Sequence, residues 1–328
     1  MSDKQPDQNG LLFAFALDGR GDGRKVQWDE IKAWTPRDGL LWIHLDAKST
    51  GTEHWLLEES GLDEVAREGL LAGEVRPRTV VSQDGTLIIL RGVNLNPGAD
   101  PEDMVSIRMW VDENRVITTV RRTVLSITDL QKALAKGQGP SHLGEFVTSL
   151  ADRLVERMSD VIEETDDSVD KLEEDIQSAD PEHLRAGLAS TRRQIISLRR
   201  YLAPQREALN RLQLERIPWF SDEDRGRLRE IMDRTIHYVE ALDSARDRAT
   251  VTHEELNGRL SEQVEKRMYL LAMVAAIFLP LTFLTGLLGI NVGGIPGAEN
   301  RWAFLGVALI LFAILLVQLW FFKRRRWI

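Results

Sequence analysis

The sequence predicts an α/β (α+β) domain, then long helices, then a two-helix transmembrane domain. Three observations predict this order. Short strand-like runs alternate with helical patches over residues 11–120, and helical periodicity dominates from about 141 onward. Two long stretches near the end carry no charge at all: Met268 to Ala298 and Trp302 to Phe322. About 20 apolar residues at about 1.5 Å each cross a hydrocarbon core of about 30 Å, so both stretches read as membrane spans.

The candidate strands are LLFAFAL (11–17), LLWIHLD (40–46), TLIILRGVNL (86–95), MVSIRMWV (104–111) and RVITTV (115–120). Asp84-Gly85 divides 79–95 into a hairpin. Helical patches near 52–71 and 126–136 are expected to cover the sheet, and nothing in this region has a catalytic pattern. The Gly137-Gln138-Gly139-Pro140 break starts the helical part, whose first helix should run from about Ser141 to Gln177. Asp180 as N-cap and Pro181 at the first helical position open an antiparallel second helix. It should kink or break at Pro204, and Pro218 closes that arm.

Ser221 caps the next helix, with Asp222, Glu223 and Asp224 at its positive end. No proline follows until Pro280, so one helix of about 100 Å is expected to continue into the first span. Its less polar positions are Leu228, Ile231, Thr235, Tyr238, Leu242, Ala245, Ala249, Thr252 and Leu256, in steps of three and four. Leu260, Val264, Met268 and Leu271 carry the seam onward. The seam is too small and polar for a dry zipper, which leaves two readings open: it rests on helices of its own subunit, or it faces a wet channel. Within the span it becomes Met268, Leu271, Ala275, Leu279, Thr282, Gly286 and Gly289, ending beside Ile290-Asn291. Such a small-residue face suits helix packing as well as a pore. Two spans cannot enclose a pathway, so a pore requires several copies about an axis.

The divisions read from these features are 1–137 (α/β), 138–220 (helical hairpin), 221–267 (stalk helix), 268–291 (first span), 292–301 (outer loop), 302–322 (second span) and 323–328 (basic tail). Lys266 and Arg267 precede the first span and Lys323 to Arg326 follow the second, so both termini should be cytoplasmic. Trp302, Trp320 and Trp327 suit the interfaces. The polar start MSDKQPDQNG lacks the pattern of a cleaved leader.

With 328 residues and 28% of them charged, the chain has room for one or two cored domains. The net charge of −9 argues against nucleic acid and suits cations. The absence of cysteine excludes disulfides and thiolate metal sites. EETDDSVDKLEED (163–175) has eight carboxylates against one lysine. It reads as a solvated helix face or as a cation-collecting or regulatory site of hard oxygen ligands, with Asp166, Asp167 and Asp170 as candidates. His44, His54, His142, His183, His237 and His253 include no pair at three- or four-residue spacing, so no first-shell zinc site is identifiable. Neither span holds an Asp, Glu, His, Lys or Arg, so any pH dependence should arise outside the bilayer.

At the end of the first span, Gly289-Ile290-Asn291 offers helix-terminal carbonyls and an amide oxygen. A ring of such neutral oxygens can hydrogen-bond the water shell of a cation without stripping it, while Glu299 in the outer loop attracts cations.

IFLPLTFLTGLLGIN (277–291), LRRYLAPQREAL (198–209) and the tail FFKRRRWI together resemble the CorA-type divalent-cation transporters over the whole chain. Ile290 stands where the commonest Gly-Met-Asn signature has methionine. The Gly-Ile-Asn variant and the tail look most like the zinc-associated ZntB branch. The resemblance implies a funnel-shaped homopentamer in the inner membrane, with first spans inside and second spans outside. Asn291 would then meet the hydrated ion, Leu279 and Thr282 would line the pore, and Met268 and Leu271 would form an inner constriction. The expected ligand is the transported cation, zinc, with no cofactor and no enzymatic role. The partners are the bilayer and further copies of the chain. Proton coupling stays open. The alternatives are a magnesium, cobalt or nickel channel of the same architecture, or a membrane-anchored sensor or enzyme. Against the last, no phosphate-cradling loop, nucleophile elbow or metalloprotease motif occurs.

Overall fold

The computed structural model describes residues 10–290 and 300–325, which divide into two compact units between His253 and Glu254. The first unit is built on a seven-stranded sheet. In chain order its elements begin β1 (Leu11–Leu17), β2 (Gly23–Val26), α1 (Trp28–Ala33), β3 (Leu40–Asp46), α2 (Thr50–Glu58) and α3 (Glu64–Leu71). Then come β4 (Arg78–Val81), β5 (Thr86–Gly92), β6 (Val105–Val111), β7 (Arg115–Val120) and α4 (Leu125–Leu134). The strand order is β2-β1-β3-β7-β6-β5-β4, antiparallel throughout except for the parallel β3–β7 pair at the centre.

Helices cover both faces. On one, Leu41, Ile43, Leu87, Ile89, Trp110 and Ile117 pack with Trp28 and Ile31 of α1, Trp55 and Leu56 of α2 and Leu70 of α3. On the other, Trp42, Ile88, Leu90, Ile107 and Met109 meet α4 and the helices that follow. The period-two alternation of each strand separates these two sets, and each set removes enough apolar surface to fix the register.

One segment of the first face is held by polar side chains. The Thr119 hydroxyl donates to the Leu70 carbonyl (2.6 Å), Arg121 Nη2 to Leu71 (3.1 Å) and Arg108 Nη2 to Gly73 (2.6 Å). Arg91 donates Nε and Nη2 to the Val75 carbonyl at 3.1 and 2.9 Å. The register Arg91↔Ser106 and Arg108↔Thr119 puts these donors on one side of the sheet. Burial, then the neighbouring Arg121 and Arg91 charges, pushes the Arg108 guanidinium down to about 10.

The helical part departs from expectation at two points. The helix expected over 141–177 is two, α5 (Leu143–Glu156) and α6 (Ser159–Glu174). At the junction the Met158 N–H bonds Val155 O at 3.0 Å, tightening one turn. Met158 is buried there and Arg157 pairs with Asp129 of α4, so tertiary contacts bend a run whose local sequence is uniformly helical. The segment from Pro181 to Leu214 (α7) starts as read, with the Asp180 carboxylate accepting from the His183 N–H. It passes through Pro204 without a break. The cost of the lost helical bond, about 3 kcal/mol, is offset on both sides of the proline, where α7 docks on the sheet. Gln205 Oε1 accepts from the Arg91 N–H (2.7 Å), the Ala208 carbonyl accepts from the Thr79 hydroxyl (2.8 Å), and the Arg91 guanidinium lies 3.8 Å from the Tyr201 ring centre.

Helix α8 (Asp222–Leu288) is continuous for 67 residues and belongs to both units. Its start is fixed by Ser221, which accepts from the Asp224 N–H while the Asp224 carboxylate accepts from the Ser221 N–H and hydroxyl. In the first unit Leu228, Ile231, Thr235, Leu242, Ala245, Ala249 and Thr252 are buried within the single chain. This part of the seam therefore rests on the chain's own helices and not on a channel. The second unit holds the rest of α8 and α9 (Ala303–Arg324).

Candidate ion pathway

From Met268 to Leu288 the helix carries two faces. Met273, Ile277, Leu281 and Leu284 are half-buried, in steps of four, four and three. The matching face of α9 is Val307, Leu311, Ile314, Gln318 and Phe322, and Gln318 Nε2 donates to the Ala276 carbonyl at 3.4 Å. The stripe read from the sequence lies elsewhere: Met268, Leu271 and Leu279 are 67%, 74% and 67% exposed, and Ala275, Thr282 and Gly286 are exposed with them. At about 100° per residue the two stripes are centred roughly 160° apart. The stripe thus occupies the side of α8 turned away from α9. Apart from the Thr282 hydroxyl it has no polar side chain. Gly286 leaves open space where a Cβ would stand.

The helix ends as its glycines dictate. Gly289 N–H bonds Thr285 O (2.9 Å) and Gly286 O (3.2 Å), and the following Ile290 is exposed. Asn291 and Glu299 lie outside the described residues, as do Trp327 and the last residues of the tail.

The acidic run takes a form that sequence reasoning missed. Arg248 of α8 sits among it, paired with Asp166 and Asp170 and 3.5 Å from Glu173, while Thr252 reaches Glu173 at 3.5 Å. Burial opposes the Arg248 charge, but Asp170, Asp166 and Glu173 outweigh it and hold the guanidinium above its ordinary value. Asp167 is exposed. The positive charge these carboxylates face is thus supplied by the chain itself. Two further ties fasten α8, Arg234 to Asp152 of α5 and Arg199 of α7 to Asp243. Acidic and basic residues about 80 positions apart give no sequence signal of such a pairing.

Among the described residues no group of three or more His, Asp or Glu side chains is disposed to hold a metal. His44 is buried and depressed to about 3 by desolvation, with Nδ1 2.8 Å from the Thr118 hydroxyl. His142 Nε2 lies 3.1 Å from the Asp224 carboxylate, at the starts of α5 and α8. Sequence reading also passed over Gln318, although it is the one amide between Trp302 and Phe322.

Two helices apolar and long enough to cross a bilayer, joined to a large α/β unit, define an integral membrane protein with an extramembranous domain. The chain belongs to the CorA-like Mg2+ transporter protein family, whose pattern it matches over residues 37–324. Relatives include the Divalent cation transporter CmaX of Pseudomonas aeruginosa, 38% identical over 98% of each chain. The Zinc transport protein ZntB of Yersinia pestis is 36% identical over 97% of this chain and 96% of its own. Among solved structures, full-length CmaX aligns over 99% of this chain and all of that one, at 37% identity and a TM-score of 0.84. The CorA magnesium transporter of Methanocaldococcus jannaschii covers 96% of this chain and 98% of its own, at 18% identity and a TM-score of 0.80, and shares the fold. The family to which the chain belongs thus consists of transporters of divalent cations.

Proposed function

We propose that the chain carries divalent cations, zinc foremost, through the axis of a homopentamer in the inner membrane. The observation that carries this reading is the opposed-face arrangement of α8. With α9 against one face, the uncharged stripe Met268, Leu271, Ala275, Leu279, Thr282 and Gly286 is left to line an axis shared with other copies. Gly289, Ile290 and Asn291 form its outer end, where neutral oxygens meet an ion that keeps its water shell and Glu299 raises the local cation concentration. Met268 and Leu271 narrow the inner mouth by dewetting. Lys266, Arg267 and Lys323 to Arg326 place both termini in the cytoplasm. No cofactor and no catalytic step enter this scheme. The divisions 1–137, 138–220 and 221–267 serve as its cytosolic part, and 268–322 as its membrane part.

Identities of 36% to ZntB and 38% to CmaX leave zinc and a broader divalent range as the two metal readings. Flux of zinc, magnesium, cobalt and nickel into reconstituted vesicles, with pH and voltage set independently, separates them. Asn291→Ala is expected to reduce zinc flux to background while the pentamer still assembles. Wild-type flux in that variant defeats the outer-ring assignment. Zinc flux that keeps its full pH dependence in Glu299→Gln removes the outer loop from proton coupling.

A further inference from the structure

Helical backbone bonding runs from each N–H to the carbonyl four residues earlier. Pro280 has no N–H, so the Ala276 carbonyl loses its donor in the middle of the first span. In water this would matter little. In a bilayer no solvent replaces the bond, and a freed carbonyl must be satisfied by another protein group. The group that reaches it is the Gln318 amide, 3.4 Å away on α9. Gln318 is the one amide in an otherwise apolar or aromatic span, and it sits on the less exposed face of that helix. Its Oε1 is buried and has no hydrogen-bond donor among the described residues, so its contact with α8 is made by Nε2 alone.

We propose that Gln318 is a positioning residue for transport: its side-chain amide replaces the hydrogen bond that Pro280 removes, and so ties the weak point of the first span to the second. Ala276 is one residue from Ala275 and three from Leu279, both on the outward stripe. A change in pitch or rotation that re-aims Leu279 and Thr282 must carry the Gln318 bond with it or break it. An ordinary apolar contact would let the two helices slide. The tie makes the helix at Pro280 adopt discrete positions, which is what a two-state pathway requires. This inference rests on the pore reading given above, but it can be tested apart from flux.

The experiment uses the full chain in lipid vesicles, as wild type, Gln318→Leu, Pro280→Ala and the double variant. Amide hydrogen exchange over 276–288 is read first. Gln318→Leu should speed it about threefold to tenfold, the range of one interhelical hydrogen bond in a membrane. In the Pro280→Ala background the same substitution should change it less than about twofold, because the alanine supplies the missing N–H and makes Gln318 dispensable. Gln318→Asn, one methylene too short to reach, should behave like Gln318→Leu. Zinc flux against concentration is read second. Gln318→Leu should alter the maximal rate with half-saturation little changed, and the double variant should match Pro280→Ala alone. A Gln318→Leu effect of equal size in both backgrounds overturns the proposal, as does exchange that ignores Gln318 altogether. Should Pro280→Ala fail to assemble, Pro280→Leu restores the same N–H and decides the question. If wild type carries no metal, the pore reading falls and exchange alone decides the tie.

Discussion

The two units treat apolar and polar groups in opposite ways. In the α/β unit the large side chains are inside: Trp42, Trp110, Phe146 and Ile88 are almost wholly buried, and carbonyls at the end of α3 and in the loop after it find donors from Arg91, Arg108 and Thr119. In the second unit the large side chains are outside, Phe304 at 86% exposure being the extreme, and its helices bury little within one chain. The first unit is complete as a single chain. The second turns its apolar side chains outward, so that surface needs lipid or further protein to exclude water from it. Stability and transport should therefore separate by region.

The sharpest way to break this comparison is a core truncation. Trp42→Ala removes a fully buried indole whose Nε1 donates to the Thr118 hydroxyl at 2.9 Å. It should cost about 3–5 kcal/mol in denaturant unfolding of the first unit, followed by tryptophan fluorescence. Next comes acid. His44 has its proton affinity depressed in the folded state, to about 3 against an ordinary 6.5, so only the unfolded chain takes up this proton between those values. Its contribution is complete above pH 6.5 and declines as pH falls, by about 1 kcal/mol per pH unit. His44→Asn should flatten that slope, as chemical denaturation at a series of pH values between 6.5 and 4.5 would record.

A smaller effect belongs to the Arg248 cluster. A double-mutant cycle between Arg248→Met and Asp166→Asn should give a coupling of about 1 kcal/mol or less that shrinks with added salt, since both partners are partly exposed. Charge reversal at Asp166 and Asp170 should weaken zinc flux if the tie matters to the pathway. The smallest effect sharpens the comparison from the other side. Leu309→Ala, at an exposed site of the second span, should change the unfolding of the first unit by no more than about 0.5 kcal/mol.

Much of this was legible in the residues. The runs 11–17, 40–46 and 115–120 are strands as read, because short runs dominated by apolar and β-branched residues leave little ambiguity. The hairpin at Asp84-Gly85 and the two membrane-length helices were equally plain. The strand Gly23–Val26 and helix Trp28–Ala33 escaped notice, since four and six residues give no period to detect. The break at Arg157-Met158 was invisible because its cause, Asp129, is on another helix. The seam of α8 could be drawn but not oriented: only the packed structure shows Thr235 and Ala249 buried within their own chain. Gln318 was passed over, since its meaning lies in a carbonyl 42 positions away. For the pathway itself, Gly289 and Ile290 could be placed at the helix end, while Asn291 and Glu299 fall beyond the described residues.

The latch on Leu70, Leu71, Gly73 and Val75 has a practical consequence. By composition, Ala72-Gly73-Glu74 is an obvious place to splice in an epitope or a fluorescent reporter, yet the Gly73 carbonyl is committed to Arg108, and the flanking Leu70, Leu71 and Val75 carbonyls to Thr119, Arg121 and Arg91. An added peptide there would pull those guanidinium groups away from their acceptors and leave them stranded in the interior. The turn at Gly98, with empty space around it, is where a label can be inserted without that penalty.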